Sequence, residues 1–233
     1  IMQSNVTTIA PNQASKRAAN LVLSGPAGGL SAAQLFQPEN MIRLDMGGTS
    51  TDVSLITNGI RLRNDTVIGN FPLAVPMADI HTIGAGGGSI AFIDRGGLLQ
   101  VGPESAGAKP GPACYGLGGA RPTVTDANLI LGRLVPDTFF NGAIHLDLEK
   151  AIEALSPLAE QLSLSIQQAA LGILRIANEN MTQALRHISI ERGFDPSNFK
   201  MVCFGGAGGL HVCELAEAMN IKQAIIPVMS GVL

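Results

Sequence analysis

Apolar residues fall in short blocks separated by glycine- and proline-rich stretches, and two of these blocks flank the segment around which the chain is arranged. Met41, Ile42 and Leu44 read as a short buried strand, and Val53, Leu55 and Ile56 as part of a second. Between them lie Asp45, Gly47, Gly48, Thr49, Ser50, Thr51 and Asp52, so strand, Gly-Gly turn and strand predict a hairpin. Upstream, residues 30–36 read as helix after the turn-like SGPAGG of 24–29. Residues 60–68 alternate apolar and polar like a half-exposed strand, and Pro72 and Pro76 bar 71–77 from the centre of a sheet. A second hairpin is predicted from 90–93 and 98–101 around Asp94, Arg95, Gly96 and Gly97. Helices follow over 127–134, 147–162 and 165–191; the last carries Leu171, Leu174, Ile176, Met181, Leu185 and Ile188 at mostly helical spacing and ends at Gly193. A buried strand at 201–204, a helix at 210–219 and a strand at 221–227 complete an α/β pattern.

Composition narrows the class. With 233 residues, 46% apolar and 14% charged, the chain is long enough for a sizeable core and is globular rather than disordered. A net charge of −3 without a basic run argues against nucleic acid as partner. Every apolar stretch is interrupted before it reaches bilayer length, which argues against a membrane span. Cys114, Cys203 and Cys213 form no CxxC pair, and a reduced cytoplasmic setting fits them. The chain opens at Ile1 with a polar lead-in over 1–16 and stops within an apolar segment at Leu233, so the sequence reads as a fragment.

Glycines mark where backbone must approach something closely. The hydroxyl-rich hairpin turn, with a carboxylate on either side, suits a phosphate, with Asp45 holding Mg²⁺ through water; a plain polar hairpin is the alternative. Gly25, Gly28 and Gly29 suit either an anion at a helix start or close backbone packing. The run Gly84, Gly86, Gly87, Gly88 leaves room for a ligand or a second backbone. Residues 102–119 read as a long, ordered active-site loop. Strand, glycine loop (205–209) and helix form an arrangement common at nucleotide sites. Thr125 or Asp126 caps the helix at 127–134, and Cys114 is a packed cysteine rather than a nucleophile. Of the histidines, His145 and His187 read as structural or surface. His81, beside Asp79, suits a metal as well as a structural role, and His211 is structural, kept neutral at a helix start.

DMGGTSTDVSLI (45–56) resembles the second phosphate loop of the hydantoinase A/5-oxoprolinase family, within the actin–hexokinase–Hsp70 superfamily. The segments 81–116, 121–134 and 204–221 resemble the same family in the same order. The resemblance implies an α/β actin-like ATPase (ribonuclease H-like) fold, its second lobe, with glycine-rich loop insertions. Residues 1–233 would be part of a hydantoinase/oxoprolinase domain, with a phosphate-loop and glycine-loop region at 41–134 and a helical and adenosine-loop region at 147–233. It implies ATP-dependent opening of a cyclic amide, hydantoin or 5-oxoproline, through phosphorylation of the carbonyl oxygen. The alternatives are the ATP-using subunit of an acetone or ketone carboxylase and a non-catalytic actin-like module. Asp45 and Asp126 would be catalytic. Gly47, Gly48, Thr49, Ser50 and Thr51 would cradle phosphate, and Gly205, Gly206, Gly208 and Gly209 would face the nucleoside. Asp45, Asp79, His81 and Asp126 would serve Mg²⁺ or a second divalent metal. A B-type component is the implied partner, and a homo-oligomer is compatible. The family's first phosphate loop has no counterpart before Met41, which implies that the isolated piece is inactive.

Overall fold

The computed structural model describes residues 1–33, 40–64, 66–68, 71–137 and 145–231, with backbone alone over 66–68. Its centre is a five-stranded mixed sheet built from β1 (Met41–Met46), β2 (Thr51–Ile56), β7 (Ile80–Ile83), β10 (Lys200–Phe204) and β11 (Ala224–Ile225). The strand order is β11-β10-β1-β2-β7. β1 runs parallel to β10 and β10 to β11, while β2 is antiparallel to both β1 and β7. Three antiparallel strands continued by two parallel ones give the actin-like α/β sheet that the resemblance implies. The smaller strands β3 (Leu62–Arg63) and β6 (Met77–Ala78), β4 (Thr66–Ile68) and β5 (Phe71–Leu73), and β8 (Ser89–Ile93) and β9 (Leu99–Ser105) pair as separate ribbons.

Alternation along β1 decides its two faces. Ile42, Leu44 and Met46 point toward the long helix α5 (Ile166–Ile188), where they join Val53, Leu55, Ile173, Leu174, Ala177, Met181 and Leu185 in the main core. Met41 points the other way with Ile56, Val202 and Phe204, against Leu30 and Ala33 of α2 (Ser24–Ala33). Each such buried side chain contributes about 1.5–3 kcal/mol, so this stripe rather than helix propensity holds α5. Its start is fixed by a capping box between Ser165 and Gln168, and Gly193 at φ +81° closes the 3₁₀ turn that follows it. Helix α4 (Leu148–Gln161) opens on Asp147 as predicted, and α3 (Val124–Ile130) packs against both α4 and α5.

Several boundaries differ from the sequence expectation. SGPAGG lies inside α2, not in a turn before it; Pro26 falls in the first turn, where its missing N–H is harmless, and residues 34–36 of the predicted helix lie outside the described residues. The strand predicted over 60–68 divides into β3 and β4. β9 runs on through Gly102 and Pro103 to Ser105, taking the first part of the predicted 102–119 loop. The cap of α3 is Thr123, with Asp126 at the third helical position, so α3 starts three residues early. The helix predicted over 210–219 divides into a 3₁₀ turn, Gly208–Leu210, and α6 (Val212–Ala218). One sheet draws β1, β2 and β7 from the 41–134 region and β10 and β11 from 147–233, so the two regions share a core.

Candidate functional site

Three glycine-rich segments meet at the carboxyl edge of the sheet. The turn 47–50 closes through Gly47 N–H donating to Ser50 O at 3.1 Å. The run 84–89 lies on it backbone to backbone: Gly87 N–H donates to Gly47 O at 3.0 Å and Gly88 N–H to Gly48 O at 2.6 Å. A Cβ on Gly86 would come within 2.7 Å of the Thr49 carbonyl carbon, so the close approach foreseen at this run is to a second backbone. The loop 205–209 arrives from β10, because Asp45 and Phe204 are register partners at the ends of adjacent parallel strands. Ala207 N–H donates to Met46 O at 3.1 Å.

The glycines fall into two kinds. A Cβ on Gly205 would sit 2.2 Å from Met46 O and 2.7 Å from Asp45 Oδ1, and its φ is +81°; one on Gly208 would meet Cys203 Sγ at 2.5 Å. These two, expected to face a nucleoside, face β1 and β10 instead. Gly47, Gly48 and Gly206 meet nothing within 4 Å, and Gly209 meets only Ile226 Cδ1 at 3.7 Å. These four border open space at the edge. Gly205→Ala is expected to cost about 2 kcal/mol in urea unfolding, through strain and steric displacement. Gly206→Ala should unfold within about 0.5 kcal/mol of wild type.

Asp45 stands just below the turn with its side chain one quarter exposed, and the fully buried Arg43 guanidinium donates to its Oδ2. Asp52 faces Asp45 across the hairpin. Burial raises the Asp52 carboxyl above its usual range, and the Thr82 hydroxyl, donating to Oδ1 at 2.5 Å, opposes the rise. Thr49 is exposed and Ser50 half-buried. Thr51, expected in the phosphate cradle, is instead buried, because as the first residue of β2 it faces α5; its hydroxyl donates to Ala85 O at 2.5 Å.

The other expected site residues lie apart. Asp126 is fully buried, and its carboxylate accepts from Cys114 N at 2.8 Å, Thr123 N at 2.9 Å, Thr123 Oγ1 at 2.7 Å and Ala113 N at 3.3 Å. Those donors use the lone pairs that a metal or a proton transfer would need, so the geometry favours capping and loop anchoring. Asp79 pairs with Arg192 and, at 3.6 Å, with Arg63. His81 lies near the start of β7, its ring 4.8 Å from that of His187; burial and then the positive neighbours hold its pKa below the ordinary value. Two arginines make that corner unfavourable for a cation. Among the described residues, no three His, Cys, Asp or Glu side chains stand together as metal ligands. Burial, then Asp126, drives the Cys114 thiol far up, which leaves it a packing residue.

Behind the loop 205–209, His211 is fully buried on a polar network. Its Nδ1–H donates to Asn178 Oδ1 at 2.6 Å, and Nε2 faces Asn128 Nδ2 at 3.4 Å. Asn178 in turn donates to Glu214, which pairs with Arg133 at 2.7 Å. Burial, then Arg133, lowers the His211 pKa to about 4. An unfolded chain binds a proton near pH 6.5 that the folded chain refuses, so stability falls as pH drops from 6.5 toward 4. We expect a loss of about 2 kcal/mol between pH 6.5 and 5 in urea unfolding, with His211→Gln flattening that slope.

The sequence assigns no role to Arg43 or Asn128, marks Asp52 only as a carboxylate flanking the turn, and places Asn178 on a solvated or inter-lobe face of α5, whereas its bonds to His211 and Glu214 bury it. The signal for Arg43 was its two-residue spacing from Asp45, which puts both on one face of a strand. A separate cleft of about 400 Å³ lies between residues 116–120 and α4, beside Lys150 and Glu153. Both of these side chains are exposed, and the cleft contains no buried polar group.

The model of the Hydantoinase/oxoprolinase family matches residues 1–233. Caprolactamase subunit alpha of Pseudomonas jessenii is 48% identical over 223 residues, covering 93% of this chain and 32% of that subunit. The crystal structure of the ATP-dependent caprolactamase from that organism superposes at a TM-score of 0.86 and 45% identity over 98% of this chain and 34% of its own. The 5-oxoprolinase PfmaA of Pestalotiopsis fici is 45% identical over 228 residues, 91% of this chain and 18% of that protein. A nucleotide-free acetone carboxylase, solved in a study of ATP-dependent acetone carboxylation, superposes at a TM-score of 0.89 and 29% identity over 99% of this chain and 33% of its own. The chain thus spans between 18% and 34% of the length of these relatives.

Proposed function

The chain belongs to the hydantoinase/oxoprolinase family, and from that premise we propose that it forms the nucleotide-binding lobe of an ATP-dependent enzyme that opens a cyclic amide. One observation carries this reading: the turn 47–50, Asp45 and the loop 205–209 converge on one sheet edge, with Gly47, Gly48 and Gly206 bordering open space. A Cβ at any of these positions would project into that space and meet nothing within 4 Å, which leaves the edge room for a phosphate and nucleoside. Mg·ATP, when bound, supplies the phosphoryl group that makes an amide carbonyl electrophilic. Asp45 would hold Mg²⁺ through water, and the exposed turn at Gly48 and Thr49 would line the phosphates with backbone N–H and hydroxyl donors. Gly206 and Gly209 would border the nucleoside. Gly205, Gly208 and Thr51 support this edge from behind.

A ketone carboxylase subunit is the second reading, favoured by the superposition on acetone carboxylase. A partner subunit carrying further catalytic groups fits both readings, since caprolactamase alpha is itself named as a subunit. No described helix is long and apolar enough to cross a membrane, and three free cysteines suit a reducing, cytoplasmic setting.

The test is a panel of 5-oxoproline, hydantoin, caprolactam and acetone with bicarbonate. It is run with the chain at its natural length together with its partner and scored for ATP-dependent product. Ring opening of any cyclic amide supports the proposal. Carboxylation of acetone alone replaces it with the second reading, and failure to bind Mg·ATP in calorimetry overturns both.

A further inference from the structure

Among the described residues Arg43 has the largest fully buried side chain, and it is charged. On β1 it shares a face with Asp45, and its guanidinium is enclosed by three groups. Asp45 accepts from it, the Phe204 ring lies 5.3 Å beneath it, and Gly29 of α2 leaves the space it occupies. A Cβ on Gly29 would lie 2.3 Å from Nη2 and 3.0 Å from Cζ. Nε and Nη1 are buried without a hydrogen-bond partner among the described residues. Burying a cation with only part of its donors satisfied is costly, and an apolar side chain of that volume would pack the same space more cheaply. A packing role therefore does not account for Arg43.

Its place beneath the hairpin does. Asp45 and Asp52 face each other across β1 and β2, and both act electrostatically on Arg43. Two carboxylates directly below a phosphate cradle would repel an incoming polyphosphate and attract a free divalent cation. A guanidinium that cannot leave removes one of those two charges and fixes the Asp45 carboxylate through a charge-assisted hydrogen bond.

We propose that Arg43 is a positioning residue of the nucleotide site. Its buried guanidinium is the resident counter-cation of the Asp45–Asp52 pair, orienting Asp45 and making the site accept a divalent cation together with the nucleotide's phosphates rather than alone. This rests on the nucleotide reading given above.

Mn²⁺ serves as the probe, with free Mn²⁺ and Mn·ATP affinities measured by electron paramagnetic resonance and calorimetry on the natural-length chain. Wild type is expected to bind Mn·ATP and to bind free Mn²⁺ far more weakly. Arg43→Met should weaken Mn·ATP binding by about 10- to 100-fold, while free Mn²⁺ binding tightens by about tenfold. Arg43→Lys keeps the charge and should keep free Mn²⁺ out. Gly29→Ala lies outside the nucleotide edge and displaces the guanidinium; it should shift the two affinities in the same opposed directions as Arg43→Met, and it decides the matter if Arg43→Met does not fold. Unchanged affinities in folded variants, or both falling together in step with Tm, overturn the counter-cation role and leave the nucleotide reading standing. A wild-type chain that does not bind Mn·ATP overturns both.

Discussion

Asp45→Asn is expected to abolish most of the proposed ATP-dependent turnover, with kcat/KM falling by about 100-fold or more, while the protein stays folded. The expectation follows from placement. Asp45 and Asp52 are both partly exposed below the open turn, but Asp45 is the one that Arg43 fixes beside it, and its neutral isostere cannot hold a hydrated cation at the phosphates. Asparagine keeps an oxygen toward Arg43, so the buried guanidinium retains an acceptor. Asp45→Ala does not, and removing one partner of a buried pair costs about 3–5 kcal/mol. Steady-state kinetics beside urea unfolding separates the two effects. Full turnover in Asp45→Asn would remove Asp45 from the chemistry, whereas lost turnover in Asp45→Ala alone would show that only its structural pairing matters.

Asp126→Ala has the opposite signature. Its carboxylate gathers donors from Ala113, Cys114 and Thr123, tying the 3₁₀ turn Ala113–Tyr115 to the start of α3. Alanine leaves several buried N–H groups unsatisfied, at about 1–3 kcal/mol each, so the variant should lose about 4 kcal/mol or more. Asp126→Asn should lose less, because its remaining oxygen still accepts. In whatever fraction remains folded, Mg·ATP affinity is expected to match wild type, since Asp126 lies within a closed network of its own. A large loss of nucleotide affinity in a fully folded Asp126→Asn protein would restore the catalytic or metal role expected from the family resemblance.

The contrast between these aspartates marks where sequence reading stops. Both stand beside short hydroxyl residues, in DMGGTST and TVTDANL, and both were given to metal and catalysis. What separates them is the partner each meets in space: an exposed edge beside one guanidinium, or a closed ring of backbone donors. Asp79 and His81 were joined by adjacency in sequence, yet Arg63 and Arg192 arrive from elsewhere and claim that corner. The glycines divide the same way. FGGAGG announces a close backbone approach, but only the parallel pairing of β1 with β10 shows that Gly205 makes room for Met46 while Gly206 borders open space.

The local signals were sufficient for the hairpin around Asp45, the starts of α4 and α5, the glycine after α5 and the α/β class, because each rests on interactions within a few residues. Periodicity, caps and turns are written in neighbouring positions and survive without the rest of the fold. The roles of Arg43, Asp126 and His211 depend on side chains brought together from strands and helices far apart in the chain. Burial and hydrogen-bond satisfaction are properties of that assembled interior, so only the tertiary structure could decide which charged groups face the open sheet edge and which hold it in place.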